Sequence, residues 1–380
     1  MKKCLVLSDP LAAPGYSPRV RYLCDYLVQR GHDVTLLTEE YQPLPFEHSY
    51  TIIPIKMYTG KRFDWFIKTG WTLLTDWHNR AFAKKSLQMS AISRQPWDLV
   101  ICSPFGDFPL GAAKRIADHF QIPLICDIRD IVEQVDNSTY QYKHQSKWLI
   151  PFRRLYCTIH ICRRNKVLCT ADAVTTISPW HAQFIQAIRH QSSSVSVIYN
   201  GFDDKQFYPQ VNKNETFVVS YIGSLFDWQK PALEKVEQAI EELNQSLKNQ
   251  KSKILWEIHT PQKDPIPYHQ MGGAIRKSGV MLVLTATHTH GMLTTKFYEA
   301  LGCEKPILCV PSDNGSLAEL ISYTNAGLAT DDIEQIKQFI MDQYEQWTQT
   351  GVTRQQTLHR EEFSRHAQIA KLEQLIEKIC

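Results

Sequence analysis

One short stretch of the chain combines a cation, a carboxylate and two hydroxyls at helical spacing. Lys296 and Glu299 lie three residues apart, directly after Thr294 and Thr295. On a helix, the lysine and the glutamate share one face near the N-terminus, where the threonine hydroxyls can cap unpaired backbone N–H groups. Such a combination suits a phosphate with a ribose diol beside it. The alternative is an ordinary Lys–Glu pair on a solvated helix face.

The elements that position this stretch follow from its glycine and proline. Gly302 is a natural helix stop, so the predicted helix is short. Pro306 then precedes the apolar run Ile307–Val310, which predicts a buried strand. Strands and helices alternate in this way through both halves of the chain, which indicates an α/β fold with parallel sheets.

This stretch resembles the donor-binding signature of glycosyltransferases of the GT-B fold, specifically the retaining group called family 4. The family pattern is close to K-x-x-E-x-x-x-x-G-x-P followed by an apolar strand, and Lys296, Glu299 and Pro306 fall at the matching positions. In the family, the glutamate at the Glu299 position holds the ribose hydroxyls of a nucleotide sugar. Glu304 stands where members usually carry glycine, so we expect a differently shaped turn there.

Length and composition bound the class of protein. A chain of 380 residues is too long for one ordinary core, so two domains are expected. A hydrophobic content of 43% with 21% charged residues is typical of a soluble globular protein. The formal net charge of +3 is too small to indicate a nucleic-acid partner, and we expect none.

Cysteine usage and the N-terminus bear on the compartment. The ten cysteines include no C-x-x-C pair, and those in apolar runs such as Val100–Cys102 predict buried free thiols in a reducing cytosol. The apolar run Cys4–Leu7 is too short for a signal peptide. No segment approaches the roughly 18 uninterrupted apolar residues of a spanning helix. We therefore expect a cytoplasmic protein.

The first half of the chain begins with a β-α-β unit, which implies a parallel sheet. The loop after its first strand contains Gly15, which would let the backbone approach a bound diphosphate or sugar, with a plain turn as the alternative. Asp130 follows a later predicted strand. It is our candidate for the acceptor or catalytic side, because open α/β sheets bind ligands at the carboxyl ends of their strands. Pairing with Arg129, or capping a helix, is the structural alternative.

A basic stretch without acidic residues runs from Tyr140 to Thr170. Its cations between residues 143 and 166 are interleaved with aromatic and aliphatic side chains. This composition is typical of a basic amphipathic helix that could lie on an anionic membrane, at the inner face in a cytoplasmic protein. With the Trp-rich stretch Phe63–Trp77 it could form a surface for a lipid-linked acceptor. The alternative is a solvated face over ordinary core aromatics.

The second half repeats the α/β pattern. Asn200-Gly201 marks a tight turn and resembles the segment that carries the family's chain between domains. Gly223 matches a family glycine, and Lys230 best fits the family lysine that binds the donor diphosphate, with a solvated lysine as the alternative. His259 ends a predicted strand near the place where a nucleobase would lie.

The resemblance implies a GT-B fold, with two Rossmann-like βαβ domains facing a central cleft. The predicted boundaries are residues 1–199 for an N-terminal acceptor-side domain, 200–216 for a linker, and 217–362 for a C-terminal nucleotide-sugar donor domain. Residues 363–380 form a C-terminal helix, an ending that in the family often packs back on the first domain.

The implied reaction moves a sugar from a nucleotide diphosphate-sugar donor to a glycan or lipid-linked acceptor, with retention, in cell-surface polysaccharide synthesis. Lys230, Lys296 and the helix N-terminus at Thr294 could neutralise the departing diphosphate. No convincing D-x-D occurs, so we expect neither a metal nor a cofactor. Many members carry a second glutamate where this chain has Gly291. The sugar is then held by backbone groups of 291–294, or the donor differs, or activity is lost.

A second hypothesis comes from a different class. A GT-B module that binds nucleotide or glycan without catalysis could serve a partner enzyme. A sugar-nucleotide epimerase is a weaker third hypothesis, because the sequence places no acid and base carboxylates near the sugar.

Overall fold

The computed structural model describes residues 1–9, 18–39, 48–57, 70–72, 74–104, 106–135, 150–189, 194–211, 213–247, 252–287 and 289–380. The chain divides into two compact units. The first comprises Met1–Glu133, Gln141–Ile198 and Ile369–Cys380. The second comprises Gln134–Tyr140 and Tyr199–Gln368. This division departs from the predicted boundaries at 134–140, where the backbone N–H of His290 donates to the carbonyl of Gln134 at 2.7 Å.

The first unit is built on a seven-stranded parallel sheet in the order β3-β2-β1-β4-β5-β6-β7. Its central strands are buried on both faces, which explains their continuous apolar runs. The strands are β1 (Lys3–Ser8), β2 (Asp33–Glu39), β3 (Thr51–Ile55), β4 (Leu99–Ser103), β5 (Leu124–Ile128), β6 (Ala173–Thr176) and β7 (Val195–Val197).

Helices cover both faces of this sheet. Leu5 and Leu7 of β1 join one apolar cluster, while Cys4 and Val6 join another, as the two-residue period of a strand requires. The helices that begin in this unit are α1 (Pro18–Gln29), α2 (Trp77–Gln88), α3 (Ser90–Ser93), α4 (Leu110–Phe120), α5 (Ile150–Leu168) and α6 (Pro179–Ile188).

The end of the chain belongs to the core of the first unit. From Ile369 onward the last helix, α12 (Arg365–Ile379), buries Ile369, Leu372 and Ile376 in the cluster that contains the apolar face of α1. The carboxylate of Glu373 accepts a hydrogen bond from Tyr26 at 2.9 Å, within the same unit. Helix α12 is therefore a structural part of that unit.

The second unit contains a five-stranded parallel sheet in the order β12-β11-β10-β8-β9. Its strands are β8 (Phe217–Ile222), β9 (Ile254–His259), β10 (Val280–Leu284), β11 (Ile307–Val310) and β12 (Gly327–Ala329). Its helices are α7 (Lys230–Ser246), α8 (Tyr268–Lys277), α9 (Thr295–Gly302), α10 (Ser316–Tyr323) and α11 (Ile333–Thr350).

The turn at Gly201 is required by backbone pairing within the second unit. Gly201 has φ 63°, and a Cβ there would lie 2.7 Å from the carbonyl oxygen of Phe363. The N–H of Phe202 donates to that same carbonyl at 3.0 Å, and the N–H of Arg365 donates to the carbonyl of Phe202 at 2.8 Å. Only glycine fits so close an approach in this conformation.

The state of the cysteines and the hydropathy of the helices can be read from the described residues. All ten cysteines are free and six are buried, as the sequence predicts. Burial raises the pKa of the Cys4 thiol to about 12. No helix among the described residues is long and apolar enough to cross a bilayer.

Leu372→Ala should lower the free energy of unfolding by about 2–5 kcal/mol, because it leaves a cavity against α1. Gln374→Ala, at an exposed position of the same helix, should change it by less than about 0.5 kcal/mol. Denaturant unfolding followed by circular dichroism measures both. Equal stabilities of the two variants would contradict the placement of α12 in this core.

Candidate functional site

The predicted helix with Lys296 and Glu299 is present as α9. Thr294 is its N-cap, and the hydroxyl accepts a hydrogen bond from the N–H of Lys296 at 3.4 Å, while Thr295 is the exposed first helical residue. Gly302 ends the helix. A Cβ on Gly302 would lie 2.8 Å from the Phe202 ring, so the helix packs tightly on the core.

The side chain of Lys296 crosses directly over Gly223, at the end of β8. A Cβ on Gly223 would lie 2.9 Å from Nζ of Lys296 and closer still to its Cε. The ammonium lies 5.3 Å from the centre of the Tyr221 ring. Burial lowers the pKa of Lys296, and the charge of Glu299 offsets part of this effect. The family glycine is therefore the residue that admits this lysine.

Glu299 is a buried carboxylate without a hydrogen-bond donor among the described residues. Its side chain lies on α9 one turn after Lys296, and the residue is 8% exposed. Burial raises the pKa of the Glu299 carboxyl, while the positive charges of Arg365 and Lys296 offset this effect in part. A buried charge without hydrogen bonds is costly, so this arrangement suits a ligand that supplies donors.

Arg365 supports this carboxylate electrostatically and was missed by the sequence analysis. It is buried, and its guanidinium donates to the carbonyl of Gly201 at 3.3 Å and to the hydroxyl of Tyr268 at 3.2 Å. The only signal in the sequence is the Phe363-Ser364-Arg365 ending, which indicates a helix start but no role for the arginine.

All five strands of the second unit are parallel, so their carboxyl ends lie along one edge of the sheet. Open α/β sheets bind ligands at this edge. A cavity of about 220 Å³ opens beside the ends of β10 and β11. No motif in the sequence indicated its lining, which consists of Trp228, Pro231, Ala232, Lys235, Thr285, Ala286, Thr287, Val310 and Pro311.

Two helix N-termini follow neighbouring strands of this sheet, α9 after β10 and α10 after β11. The carboxylate of Asp313 caps α10, since it accepts hydrogen bonds from the N–H groups of Leu317 at 3.0 Å and Ala318 at 2.9 Å. The described residues place no carboxylate in that role at α9, where the cap is the single long bond to Thr294. Of these two N-termini, that of α9 is therefore the one without a capping carboxylate among the described residues, and it suits an anion.

Lys230 and His259 stand at the same strand-end edge but have protein partners. Lys230 begins α7 with its side chain 58% exposed, and its ammonium pairs with Asp227 at 2.8 Å. The Nδ1 atom of His259 lies 2.8 Å from a carboxylate oxygen of Asp264. The carbonyl of His259 accepts a hydrogen bond from the N–H of Gly223 at 2.8 Å. The described contacts bring neither side chain to Lys296 or Glu299.

Gly291 and the turn at Glu304 belong to the described residues. Gly291 is buried with φ 64°, a left-handed conformation that glycine adopts readily. Glu304 has φ 52° and pairs with Arg354, so it adopts the conformation that a glycine takes most easily. Gly15 lies outside the described residues.

The carboxyl end of β5 carries Asp127, and the predicted Asp130 follows three residues later. Asp127 is buried and accepts two hydrogen bonds from Arg19 at 2.8 Å, with further bonds from Ser103 and Thr175. Burial alone would raise the pKa of Asp127. The Arg19 ion pair and the hydrogen bonds lower it by more, so the pKa lies below its ordinary value. Asp130 is half-buried after β5, and the described ion pair of Arg129 goes to Asp9 at 3.0 Å.

No group of three metal-binding side chains occurs among the described residues. The Nδ1 atom of His160 lies 2.5 Å from a carboxylate oxygen of Asp107.

Gly223→Ala should destabilise the protein by about 1–3 kcal/mol, because its φ of 135° is strained for alanine and its Cβ would displace the end of the Lys296 side chain. Gly273→Ala is the matched control, since a Cβ there meets nothing within 4 Å. It lies inside α8, so it should be neutral or stabilising by up to about 1 kcal/mol. Thermal unfolding compares them, and equal effects would contradict the close approach of Lys296.

Glu299→Gln should raise the melting temperature of the ligand-free protein at neutral pH, because it removes a buried charge. The carboxyl pKa is raised on folding, so the wild-type stability that comes from protonated Glu299 is present in acid and lost as pH rises through the raised pKa. The gain should therefore disappear in acid. Glu304→Gln, which breaks the pair with Arg354, should give no gain, and a loss in Glu299→Gln would refute the argument.

The comparisons agree with this architecture. A family model described as Glycosyltransferase Family 4 matches residues 15–206, just over half of the 380 residues. A sequence comparison with curated proteins finds no match.

Several solved structures are similar over the whole chain. Sucrose-phosphate synthase from Thermosynechococcus elongatus gives a TM-score of 0.66 at 14% identity and covers 99% of each chain. HepE from Anabaena, solved with UDP and glucose, gives 0.61 at 15% identity over 100% of each chain. WaaG, a glycosyltransferase involved in lipopolysaccharide biosynthesis, gives 0.60 at 12% identity over 99% of each chain.

At such identities the likeness shows the fold alone, and it confirms the predicted GT-B class with its two Rossmann-like α/β units. The match to the family model extends over more than half of the sequence. The chain therefore belongs to glycosyltransferase family 4 and is a glycosyltransferase.

Proposed function

We propose that the enzyme transfers a sugar from a nucleotide diphosphate-sugar to a glycan or lipid-linked acceptor. The observation that carries the proposal is the pair on α9, where Lys296 crosses Gly223 and Glu299, 8% exposed, accepts no hydrogen bond from the described residues. The lysine suits a diphosphate. The carboxylate suits the two hydroxyls of a ribose, which would donate the missing hydrogen bonds.

The second part of the proposal is that charge on the departing diphosphate is neutralised by protein groups, without a metal. Lys296 and the open N-terminus of α9 are the first of these groups. Lys230 is the third, and it would exchange its exposed partner Asp227 for a phosphate oxygen. This exchange is inexpensive, because an exposed ion pair contributes little stability.

The nucleotide proposed is a uridine diphosphate. HepE was solved with UDP-glucose and with UDP, which supports testing uridine first. The strand-end edge by the 220 Å³ cavity and His259 is the proposed place of the base. Backbone groups of residues 291–294 would hold the sugar where Gly291 replaces the usual glutamate, and Gly15 and Asp130 are proposed for the diphosphate and acceptor sides.

The acceptor side of the proposal is contact with an anionic membrane through 143–166. The described part of this stretch is α5, whose exposed side chains include Phe152, Leu155 and Tyr156 together with Arg154. A cytoplasmic enzyme lying on the inner face could reach a lipid-linked acceptor in surface polysaccharide synthesis. Involvement of WaaG in lipopolysaccharide biosynthesis is consistent with such a role.

A second candidate is a GT-B module that binds the nucleotide without transferring a sugar. Gly291 favours it, because many family members carry at this position a glutamate that contacts the donor sugar. The two candidates differ in turnover rather than in nucleotide binding.

In buffer with EDTA, UDP should raise the melting temperature more than GDP or ADP, by an amount equivalent to about 2.7 kcal/mol at 100 times its dissociation constant. Lys296→Ala and Glu299→Gln should each weaken binding tenfold or more, because each loses charge-assisted hydrogen bonds. Lys230→Ala should weaken it less. Lys277→Ala, an exposed lysine of the same unit, should leave it unchanged.

Sugar release from the matching donor then separates the candidates. Transfer or hydrolysis with EDTA present, with the anomeric configuration kept in the NMR spectrum, is the outcome expected of a retaining, metal-independent enzyme. Binding without any turnover across an acceptor screen would favour the non-catalytic module. Absence of binding by all three diphosphates would contradict both.

A further inference from the structure

The first unit contains a cation-lined cavity of about 540 Å³ that none of the roles above uses. It lies among the start of α2, one face of α4 and the second half of α5. Its charged lining comprises five cations and three carboxylates: Arg80, Lys114, Arg115, Arg163, Lys166, Asp76, Asp107 and Asp118.

The carboxylates of this cavity already have partners. Asp76 pairs with Arg115 at 3.0 Å, and Asp118 pairs with Lys114. Asp107 is engaged by His160 at 2.5 Å. The lining therefore carries an excess of two positive charges. Because the three carboxylates are already paired, they do not neutralise the remaining basic side chains of the cavity.

Two cations remain without a side-chain partner among the described residues, Arg80 on α2 and Lys166 on α5. Both are exposed at the cavity. Arg163 lies nearby and donates to the backbone carbonyl of Thr72 at 2.7 Å. An anion entering here would meet a forked guanidinium and an ammonium, the combination that suits a phosphate group.

Exposed apolar side chains border the same cavity. Leu74 lines it and is 78% exposed, and Trp71 in the same segment is 54% exposed. The bond from Arg163 to Thr72 holds this segment against α5. Binding of a soluble phosphate compound would not require exposed apolar side chains beside the cations.

Helix α5 continues the apolar border. Phe152 is 68% exposed, and Leu155 and Tyr156 follow at positions i+3 and i+4, so the three share one face. The Tyr156 ring lies 4.0 Å from the ring of His160, which contacts Asp107 of the cavity. Cations and exposed apolar groups therefore adjoin, as they do on proteins that lie in a bilayer interface.

We propose that this cavity binds the phosphate of an anionic phospholipid headgroup, with Arg80 and Lys166 as its principal contacts. Leu74, Trp71 and Phe152 then enter the boundary between headgroups and acyl chains. The inference rests on the membrane contact proposed above and deepens it, because it replaces a general attraction by a defined headgroup site.

The test is flotation of the full chain with phosphatidylcholine vesicles, with and without phosphatidylglycerol. Wild type should bind only the vesicles with phosphatidylglycerol. Arg80→Glu/Lys166→Glu should lower the partition coefficient more than about tenfold, since each basic residue near an anionic surface contributes substantially to binding. Leu74→Ser should lower it less.

The matched control is Arg94→Glu/Lys253→Glu, which makes the same change of net charge at exposed positions outside the cavity. It should lower partition less than about threefold. Circular dichroism and thermal unfolding of the ligand-free chain check that each variant is folded.

Three outcomes would overturn the inference. Equal losses in the cavity and control variants would indicate only a diffuse electrostatic attraction. Wild-type binding to both kinds of vesicle would show that the cavity does not require an anionic headgroup. Stabilisation by free inorganic phosphate or a short RNA that depends on Arg80 and Lys166, without vesicle binding, would assign the cavity to a soluble ligand.

These outcomes are distinguishable from failure of the proposed reaction. Loss of flotation with intact sugar transfer overturns the headgroup site alone. Flotation that depends on Arg80 and Lys166, in a protein that binds no nucleoside diphosphate, supports the headgroup site and contradicts the transferase proposal.

Discussion

The close passage of Lys296 over Gly223 is the constraint on which the candidate site depends. Gly223 has φ 135°, a conformation that other residues rarely adopt, and any side chain at this position would displace the end of the Lys296 side chain. Its ammonium is thereby held beside Tyr221 rather than left mobile on the surface. Holding a cation before the ligand arrives reduces the entropy lost on binding.

The rest of the second unit keeps α9 in place. Gly302 lets the helix end pack on Phe202, and Phe202 is in turn paired with the backbone around Phe363. The same pairing positions Arg365 behind Glu299. A buried carboxylate is tolerable there because a buried guanidinium and the Lys296 ammonium partly offset its cost. The turn at Gly201 therefore helps to position Arg365 near Glu299, in addition to directing the chain.

The sequence predicted those parts whose information is local. Thr294, Gly302 and Pro306 mark the ends of α9 and the start of the next strand, and the apolar run of β11 predicts its burial. Arg365 could not be assigned a role, because its position beside Glu299 depends on two segments far apart in sequence. The same reason hid Asp127, whose partners Arg19, Ser103 and Thr175 come from three other elements. The cation-lined cavity likewise converges from three helices, and only its α5 part was visible as a basic stretch.

The central claim is that Glu299 binds the ribose hydroxyls of a nucleoside diphosphate while protein groups hold its phosphates. Calorimetric titration in EDTA tests it with a double-mutant cycle, using wild type and Glu299→Gln against the best-binding diphosphate and its 2′,3′-dideoxy analogue. Removing the ribose hydroxyls should cost wild type about tenfold or more and cost Glu299→Gln much less, because the glutamine offers those hydroxyls only an uncharged acceptor oxygen. Independent, additive losses would contradict it.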